Sequence, residues 1–467
     1  MKKILKWLGI VLLSPIIIFL LLSVLLYLPP VQNWAAQKVC DYASENTDCD
    51  VSVGRVRLRF PLDLTIEDFK LKERSTEKAD PLELQCEKFD VDIQLLPLFR
   101  KQVEIDNLRF HKAKLNSNGL IAEARVKGDI DELKLESHGI NLKEELLRLD
   151  MAHIKDANLD IALTDSVSTD TTKTENKWKI LAEKINIDNT KITLRTPGDT
   201  LQVDAELGKL RATGGNIDLG KEEYRLGNVA LAESSLSYNN KYEKPVAGFD
   251  ANHISLDKLE LDIDSVSYIG SHLDLSLKKC SFREKSGIQL DNLSGNVRLD
   301  STKVCVPNLS LKTPDSRIDA NLDLDLNTFD SKNPGKMNAT LEASIGKQDI
   351  MRFLGDMPAD FRRQWPNHPL TVSGTVAGNM QRVSLSGLNI NLPTAIHANA
   401  TGWIENPTNS NKLKADIKLR GTTGNMNFVT SLLDKDTRKN INIPNNIGID
   451  GRFKANGSRY SANFEAR

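Results

Sequence analysis

Residues Val51 to Lys72 read VSVGRVRLRFPLDLTIEDFKLK, and their pattern decides how the rest of the chain is read. Apolar side chains occupy alternate positions: Val51 and Val53, then Val56, Leu58, Phe60, Leu62, Leu64 and Ile66. Ser52, Arg55, Arg57, Arg59, Asp63 and Thr65 lie between them, and Gly54 shifts the register once. Successive side chains of a strand point to opposite faces, so a period of two builds one apolar face and one wet face. Gly54 reads as a bulge and Pro61 as a kink or an edge position.

The alternation returns along the chain. Phe89, Val91 and Ile93 alternate with Asp90 and Asp92, and Ile318, Ala320, Leu322 and Leu324 alternate with Asp319, Asn321 and Asp323. Turn signals such as Gly214-Gly215, Asn239-Asn240 and Asn333-Pro334-Gly335 separate the runs, and roughly 25 to 30 strands are expected. Leu142 to Leu149 reads as a helical or turning insert, and the polar run Thr164 to Lys177 as a flexible loop. Two short helical inserts are expected, over Gln348 to Trp365 and over Met426 to Lys439, each lying across a sheet face or edge.

The N-terminus has a different pattern. Lys2, Lys3 and Lys6 precede Trp7 to Leu28, which holds no charged residue. At 1.5 Å per residue such a helix reaches ~33 Å, enough for a hydrocarbon core of ~30 Å. The lysines before the span place residues 1–6 in the cytoplasm and everything after Leu28 outside. The long apolar region and the lack of a small-residue cleavage site before Pro29-Pro30 favour an uncleaved anchor over a removed signal peptide. Residues 29–48 then read as a short amphipathic helix bearing Val31, Trp34, Ala35, Val39 and Tyr42. It is expected to cap the sheet that follows, or to seat Trp34 at the membrane interface.

Net charge is -1, so no basic field invites nucleic acid. The seven histidines are dispersed, and neither a phosphate-cradling glycine loop nor a G-x-S-x-G motif is present, so a non-enzymatic protein without a cofactor is expected. Asp319, Asp323 and Asp325 read as a solvated face rather than a calcium site. Arg55, Arg57 and Arg59 form a basic stripe, read as edge protection or as a guide for anionic headgroups. Outside the cytoplasm, Cys40 with Cys49 and Cys280 with Cys305 are the expected disulfide candidates, the second pair joining neighbouring strands.

Many one-sided strands with few helices to cover them leave three architectures open: packed sandwiches, a filled solenoid, or one long sheet curled into a trough whose apolar inside holds something else. The order of anchor, Trp34-containing helix, CDVSVGRVRLRFPLDLTIEDFKLKE and LELQCEKFDVDIQLLPLFRKQVEIDNLRFHKAKL resembles the AsmA-like and TamB family of bacterial envelope proteins. The motifs cover Met1 to Leu115, and the later strands follow the pattern. The resemblance implies a mainly β fold in which residues 49–467 form an elongated, curled antiparallel sheet, an open hydrophobic groove of the β-taco kind in the periplasm. It implies a single-pass inner-membrane protein that carries phospholipids between inner and outer membranes and contributes to outer-membrane biogenesis. An alternative implied role is scaffolding of outer-membrane protein insertion or autotransporter secretion, with a barrel partner of the TamA or BamA kind. Expected groove-lining residues are Val51, Val53, Val56, Leu58, Phe60, Leu62, Leu64, Phe89, Val91, Ile93, Ile318, Leu322 and Leu324. The unfinished strand pair Ile449–Ala455 and Tyr460–Phe464 leads to the expectation that the natural chain continues past Arg467.

Overall fold

The computed structural model describes residues 27–60, 62–74, 81–94, 104–117, 124–141, 145–164, 178–328, 330, 332–407, 409, 411–434, 437–438, 446–457 and 459–466. It falls into two compact units, Met1–Lys221 and Glu222–Arg467. Among the described residues the protein is mainly β, with 23 strands and few helices. The proposed anchor lies outside the described residues apart from Tyr27 and Leu28; among the described residues no helix is long and apolar enough to cross a membrane.

The first unit opens with α1 (Pro29–Asn46), followed by β1 (Cys49–Ser52), β2 (Arg55–Arg59), β3 (Asp63–Glu73), β4 (Glu83–Ile93), β5 (Ile105–Asn116), β6 (Ala124–Asn141), β7 (Leu146–Leu163), β8 (Lys179–Arg195) and β9 (Leu201–Asp218). β1 and β2 both pair with β3, and from there each strand pairs with the next. Leu146 to Leu149 belong to β7, so the insert expected there is strand where it is described. β7 and β8 run parallel, the exception to an otherwise antiparallel order. The polar loop expected over Thr164 to Lys177 falls between these two strands, and residues 165–177 lie outside the described set.

Gly54, Asp68, Glu87, Lys112, Asp131, Asp156, Asn189 and Gly208 fall opposite one another in a single transverse row, the position skipped in each neighbouring register. Asp68, Lys112, Asp156 and Asn189 in that row have φ of 55°, 48°, 51° and 45°. A left-handed residue inside a strand breaks the pleat and bends it. On either side of the row, apolar residues are therefore spaced by three instead of two: Ile66 and Phe69, Cys86 and Phe89, Phe110 and Ala113, Ile154 and Ala157. Alternation resumes beyond the row, so every strand turns at the same level and the row forms a crease. Polar side chains knit it: Lys112 Nζ lies 2.7 Å from Glu87 Oε2, and Asn189 Nδ2 donates to Asp156 Oδ1 at 2.5 Å. Asn189→Val, which forces a β-branched residue into the left-handed region, should destabilise the first unit by about 1–2 kcal/mol, whereas Asn189→Gly should be close to neutral. Denaturant titration of the two variants checks this.

The second unit contains β10 (Glu223–Leu226), β11 (Val229–Asn240), β12 (His253–Ile269), β13 (His272–Glu284), β14 (Gln289–Leu299), β15 (Lys303–Lys312), β16 (Arg317–Asp325), β17 (Met337–Ile345), β18 (Leu370–Asn379), β19 (Arg382–Leu392), β20 (Ile396–Glu405), β21 (Lys414–Thr423), β22 (Ile447–Asn456) and β23 (Arg459–Ala466). β10 and β11 both pair with β12, and the rest form an antiparallel meander. Its inward positions from β18 onward are rich in glycine and alanine. At Gly402, φ is 148° and a Cβ would collide with the Asp416 carbonyl oxygen, so only glycine lets β20 and β21 approach this closely.

Among the described residues, this unit has the short helices α2 (Lys347–Leu354), α3 (Ala359–Gln364) and α4 (Asn427–Thr430). The first expected insert is two helices, broken at Gly355 with φ of 68°; in the second, Asn427–Thr430 form one turn and residues 437–438 are helical, while 435, 436 and 439 lie outside the described set. They pack where the sheet ends, against Leu370 of β18, Leu392 of β19 and Ile396 of β20. Phe361 and Phe428 pack with Leu392 and Ala395 at the β19–β20 end, and Met351 and Trp365 pack against that cluster. Phe361, Trp365 and Phe428 meet at ring-centroid distances of 4.9–5.9 Å. The reason is steric economy: the connections after β17 and β21 leave the sheet where β19 turns into β20, and bury their aromatics on each other and on Leu392 and Ala395 of that turn.

At the same end, Phe249 stacks on Phe353 of α2 at 5.7 Å. The neighbouring carboxylate of Asp250 accepts from the backbone N–H groups of Val246 and Asn252, each at 3.0 Å, and lies 2.8 Å from His253 Nδ1. The Val246 N–H bond, together with His253 and the Asn252 N–H, holds its pKa down at about 2. A carboxyl with a depressed folded-state pKa stabilises the fold above its unfolded value near 3.9, and this is lost as pH falls toward 2. The 241–252 loop is thus expected to gain hydrogen exchange between about pH 4 and pH 2, and Asp250→Asn should flatten that dependence.

Candidate functional site

The registers of the first unit assemble its apolar residues into transverse rows. Val56, Ile66, Phe89, Phe110, Leu133, Ile154, Ile187 and Leu210 face one another strand by strand. Beside them run Leu58, Leu64, Val91, Leu108, Leu135, Ala152, Ile185 and Ala212. Across the crease, Val51, Leu71, Leu84 and Leu115 begin a further row. Phe89 and Phe110 stack at 4.4 Å.

Burial on this face is graded by side-chain size. The fully buried positions include Cys86, Ala113, Ala157, Ala182 and Ala212, small groups covered by their own neighbours, together with Val56, Val91 and Leu149. Leu58, Leu64, Ile66, Phe89, Ile93, Leu108 and Phe110 are only half-buried. A sheet face under a second protein layer would hide its bulky residues first. Here the described residues supply no such layer.

The opposite face carries polar pairs, within and between strands. Thr65 Oγ1 donates to Asp90 Oδ1 at 2.7 Å, Lys88 Nζ lies 2.6 Å from Asp90 Oδ2, and Arg211 and His153 both reach Asp188. Asp90 and Asp188 are held below the usual carboxylate range, against the opposing effect of burial, by their bonds to Lys88 and Thr65 and to Arg211 and His153.

In the second unit Ile318, Leu322 and Leu324 occupy successive inward positions of β16. Leu322 faces Val306 and Ala339, Leu324 faces Val304 and Met337, and Ile318 faces Leu311 and Ala343. All three are half-buried. The carboxylates between them are paired, Asp319 with Arg317 at 2.7 Å and Asp323 with Lys303 at 2.6 Å. A cleft of about 940 Å³ near β20–β23 is lined by Trp403, Asp416, Lys418, Asp450, Arg452 and Glu465, with Arg452 bound to Asp416. It lies on the wet face, and its charged lining is unsuited to an alkyl chain.

Two expectations require correction. Phe60 does not line the face: it sits in the β2–β3 turn and is 78% exposed, since the strand ends at Arg59. The five cysteines are free, and Cys280 and Cys305 are not on neighbouring strands; β14 lies between them, Cys280 facing Leu293 and Cys305 facing Arg298. The stripe Arg55 and Arg57 is partly neutralised by Glu67, at 3.6 and 3.5 Å. Val51, Val53, Val56, Leu58, Leu64, Phe89, Val91 and Ile93 do belong to the β1–β4 part of the first unit, with Leu62 half-buried in the turn. Of the crease positions, Gly54 is legible as the bulge that shifts the register; the others are missed, and the recurring three-residue apolar spacing is the signal that marks them.

α1 shields the edge strand with polar groups. Gln32 Nε2 donates to the Leu58 carbonyl at 2.9 Å and its Oε1 accepts from the Leu58 N–H at 3.1 Å. Asn33 Oδ1 and Ser44 Oγ accept from the N–H groups of Val56 and Val51 at 3.0 and 2.9 Å. These side chains imitate a neighbouring strand and remove a free edge that would otherwise recruit another chain. The apolar residues expected to cap the sheet, Trp34, Val39 and Tyr42, point away from it. Gln32→Ala leaves two backbone groups of Leu58 unpaired, so a loss of about 1–3 kcal/mol and concentration-dependent association in light scattering are expected.

No protein-family model matches the chain, and no curated protein matches it.

Proposed function

We propose that the apolar sheet faces carry the acyl chains of phospholipids, in a non-enzymatic, inner-membrane-anchored periplasmic protein that moves lipid between the two membranes of the envelope. The observation that supports this reading most directly is the half-buried state of the bulky residues around the Phe89–Phe110 stack, on a face where only alanines and a few larger groups are fully covered. A broad apolar surface left in water is unfavourable at about 25 cal/mol per Å², so its natural cover is apolar matter. Acyl chains lying along the rows would be exchanged at little net cost, because each methylene, worth ~0.8 kcal/mol, has similar surroundings in the groove and in a bilayer. Headgroups would stay in water at the open side. The curled groove implied by the family resemblance fits this arrangement, and the crease across β3 to β9 supplies the bend a groove wall needs.

Native mass spectrometry of the full chain, extracted in a detergent distinguishable from lipid, tests the proposal. Bound phospholipid is the expected result; a lipid-free chain that remains folded and monomeric would overturn it.

A further inference from the structure

The amides and hydroxyl that tie α1 to the edge strand all lie on one side of the helix. Its other side is open. Trp34, Val39 and Tyr42 are 63%, 66% and 68% exposed, and Leu28 at the start of the helix is 46% exposed. Phe60 joins them at that end, with its ring 6.4 Å from that of Tyr27. Trp34, Lys38 and Tyr42 follow one another at i, i+4 and i+8, so aromatic rings and a charge share the outward side, and Lys38 lies 3.7 Å from Asp41. This composition suits neither a packed protein core nor a hydrocarbon interior. Amphipathic rings with intervening charges match the headgroup layer of a bilayer, where Trp and Tyr are enriched and lysine keeps its charge in water. The chain itself indicates which bilayer: the sequence leading into Tyr27 and Leu28 has no charged residue from Trp7 onward.

We propose that the outward side of α1 lies flat in the headgroup layer of the membrane that holds the preceding apolar segment. This inference rests on reading that segment as an anchor, and goes beyond it by assigning α1 a second, in-plane contact. Because α1 is also bonded to Val51, Val56 and Leu58, the contact would hold the first edge of the apolar face at the bilayer surface, where a lipid could pass onto it. Arg59, exposed beside Phe60, would meet lipid phosphates at the same level.

Photo-crosslinking on the full chain in nanodiscs of phosphatidylethanolamine and phosphatidylglycerol tests this. A benzophenone amino acid is placed singly at Trp34, Tyr42, Thr65 and Leu20. All but the last lie on described strand or helix surface, and the replacements at Trp34 and Tyr42 remove no packed contact. Lipid adducts at both Trp34 and Tyr42, with none at Thr65 on the wet face, are expected. Lack of lipid at either α1 position, or crosslinks there to protein instead, overturns the proposal. The Leu20 position separates the two readings: an adduct there with none on α1 leaves the anchor standing, and no adduct at any position removes both.

Discussion

Exchanging Phe89 for aspartate is expected to strip phospholipid from the first unit while leaving the unit folded. Phe89 stands mid-row between Ile66 and Phe110, half-buried and stacked on Phe110 at 4.4 Å. If its outer surface meets an acyl chain, a carboxylate there withdraws cover from about three methylenes, roughly 2.4 kcal/mol or about fifty-fold in occupancy. The folded chain loses only a cross-strand aromatic pair, about 1 kcal/mol, or roughly 2–4 °C in midpoint for a unit of this size. Under a packed protein layer the same change would cost about 3–5 kcal/mol. Lipid content by mass spectrometry and the thermal midpoint therefore separate the two. A large fall in stability with lipid retained would show that protein, and not lipid, covers the face. Leu322→Asp is the matching change in the second unit.

Phe428→Ala should have the opposite balance. Phe428 is 6% exposed and touches Trp365 and Phe361 at 4.9 and 5.9 Å, in the one compact aromatic cluster among the described residues. Truncating a buried phenylalanine that cannot be replaced by its neighbours costs about 3–5 kcal/mol. The loss should be local, because α3 and α4 hold each other, whereas the strands beneath are held by their ladders. Faster hydrogen exchange across 359–365 and 424–434 is expected, with a red shift of the Trp365 emission. Lipid bound along the rows of the first unit should be unchanged, since every residue of the cluster belongs to the second unit. Cooperative loss of β17–β22 would instead mean that these helices hold the sheet together.

Much of this fold could be read from periodicity. The pairs Leu58 with Leu64, Leu64 with Val91, and Leu322 with Ala339 lie opposite each other because alternate residues of a strand share a face, and a face with one wet side leaves little freedom of register. The β content, the helix after Pro29 and the division into apolar and wet faces follow from the same rule. Phe60 illustrates its limit: alternation assigns it inward, but the turn that begins there points it outward. The helical inserts illustrate another, since their spacing announces a helix without saying whether its apolar side meets a sheet face or, as with Phe361 and Phe428, another loop.

What the sequence by itself determined is local: which residues alternate, where charge is missing, and that the apolar strand faces need a cover. Only the tertiary structure decided which strands became neighbours. It aligned Gly54, Asp68, Glu87, Lys112, Asp131, Asp156, Asn189 and Gly208 into one crease, set β7 parallel to β8, separated Cys280 from Cys305 by a strand, and turned Trp34 away from the sheet that Gln32 grips. The physical reason is the range of each interaction. Side-chain alternation is set by the backbone of a single strand, whereas a crease, a strand order and a gripped edge arise from hydrogen bonds between residues far apart in the chain, and their partners are specified only once the sheet is assembled.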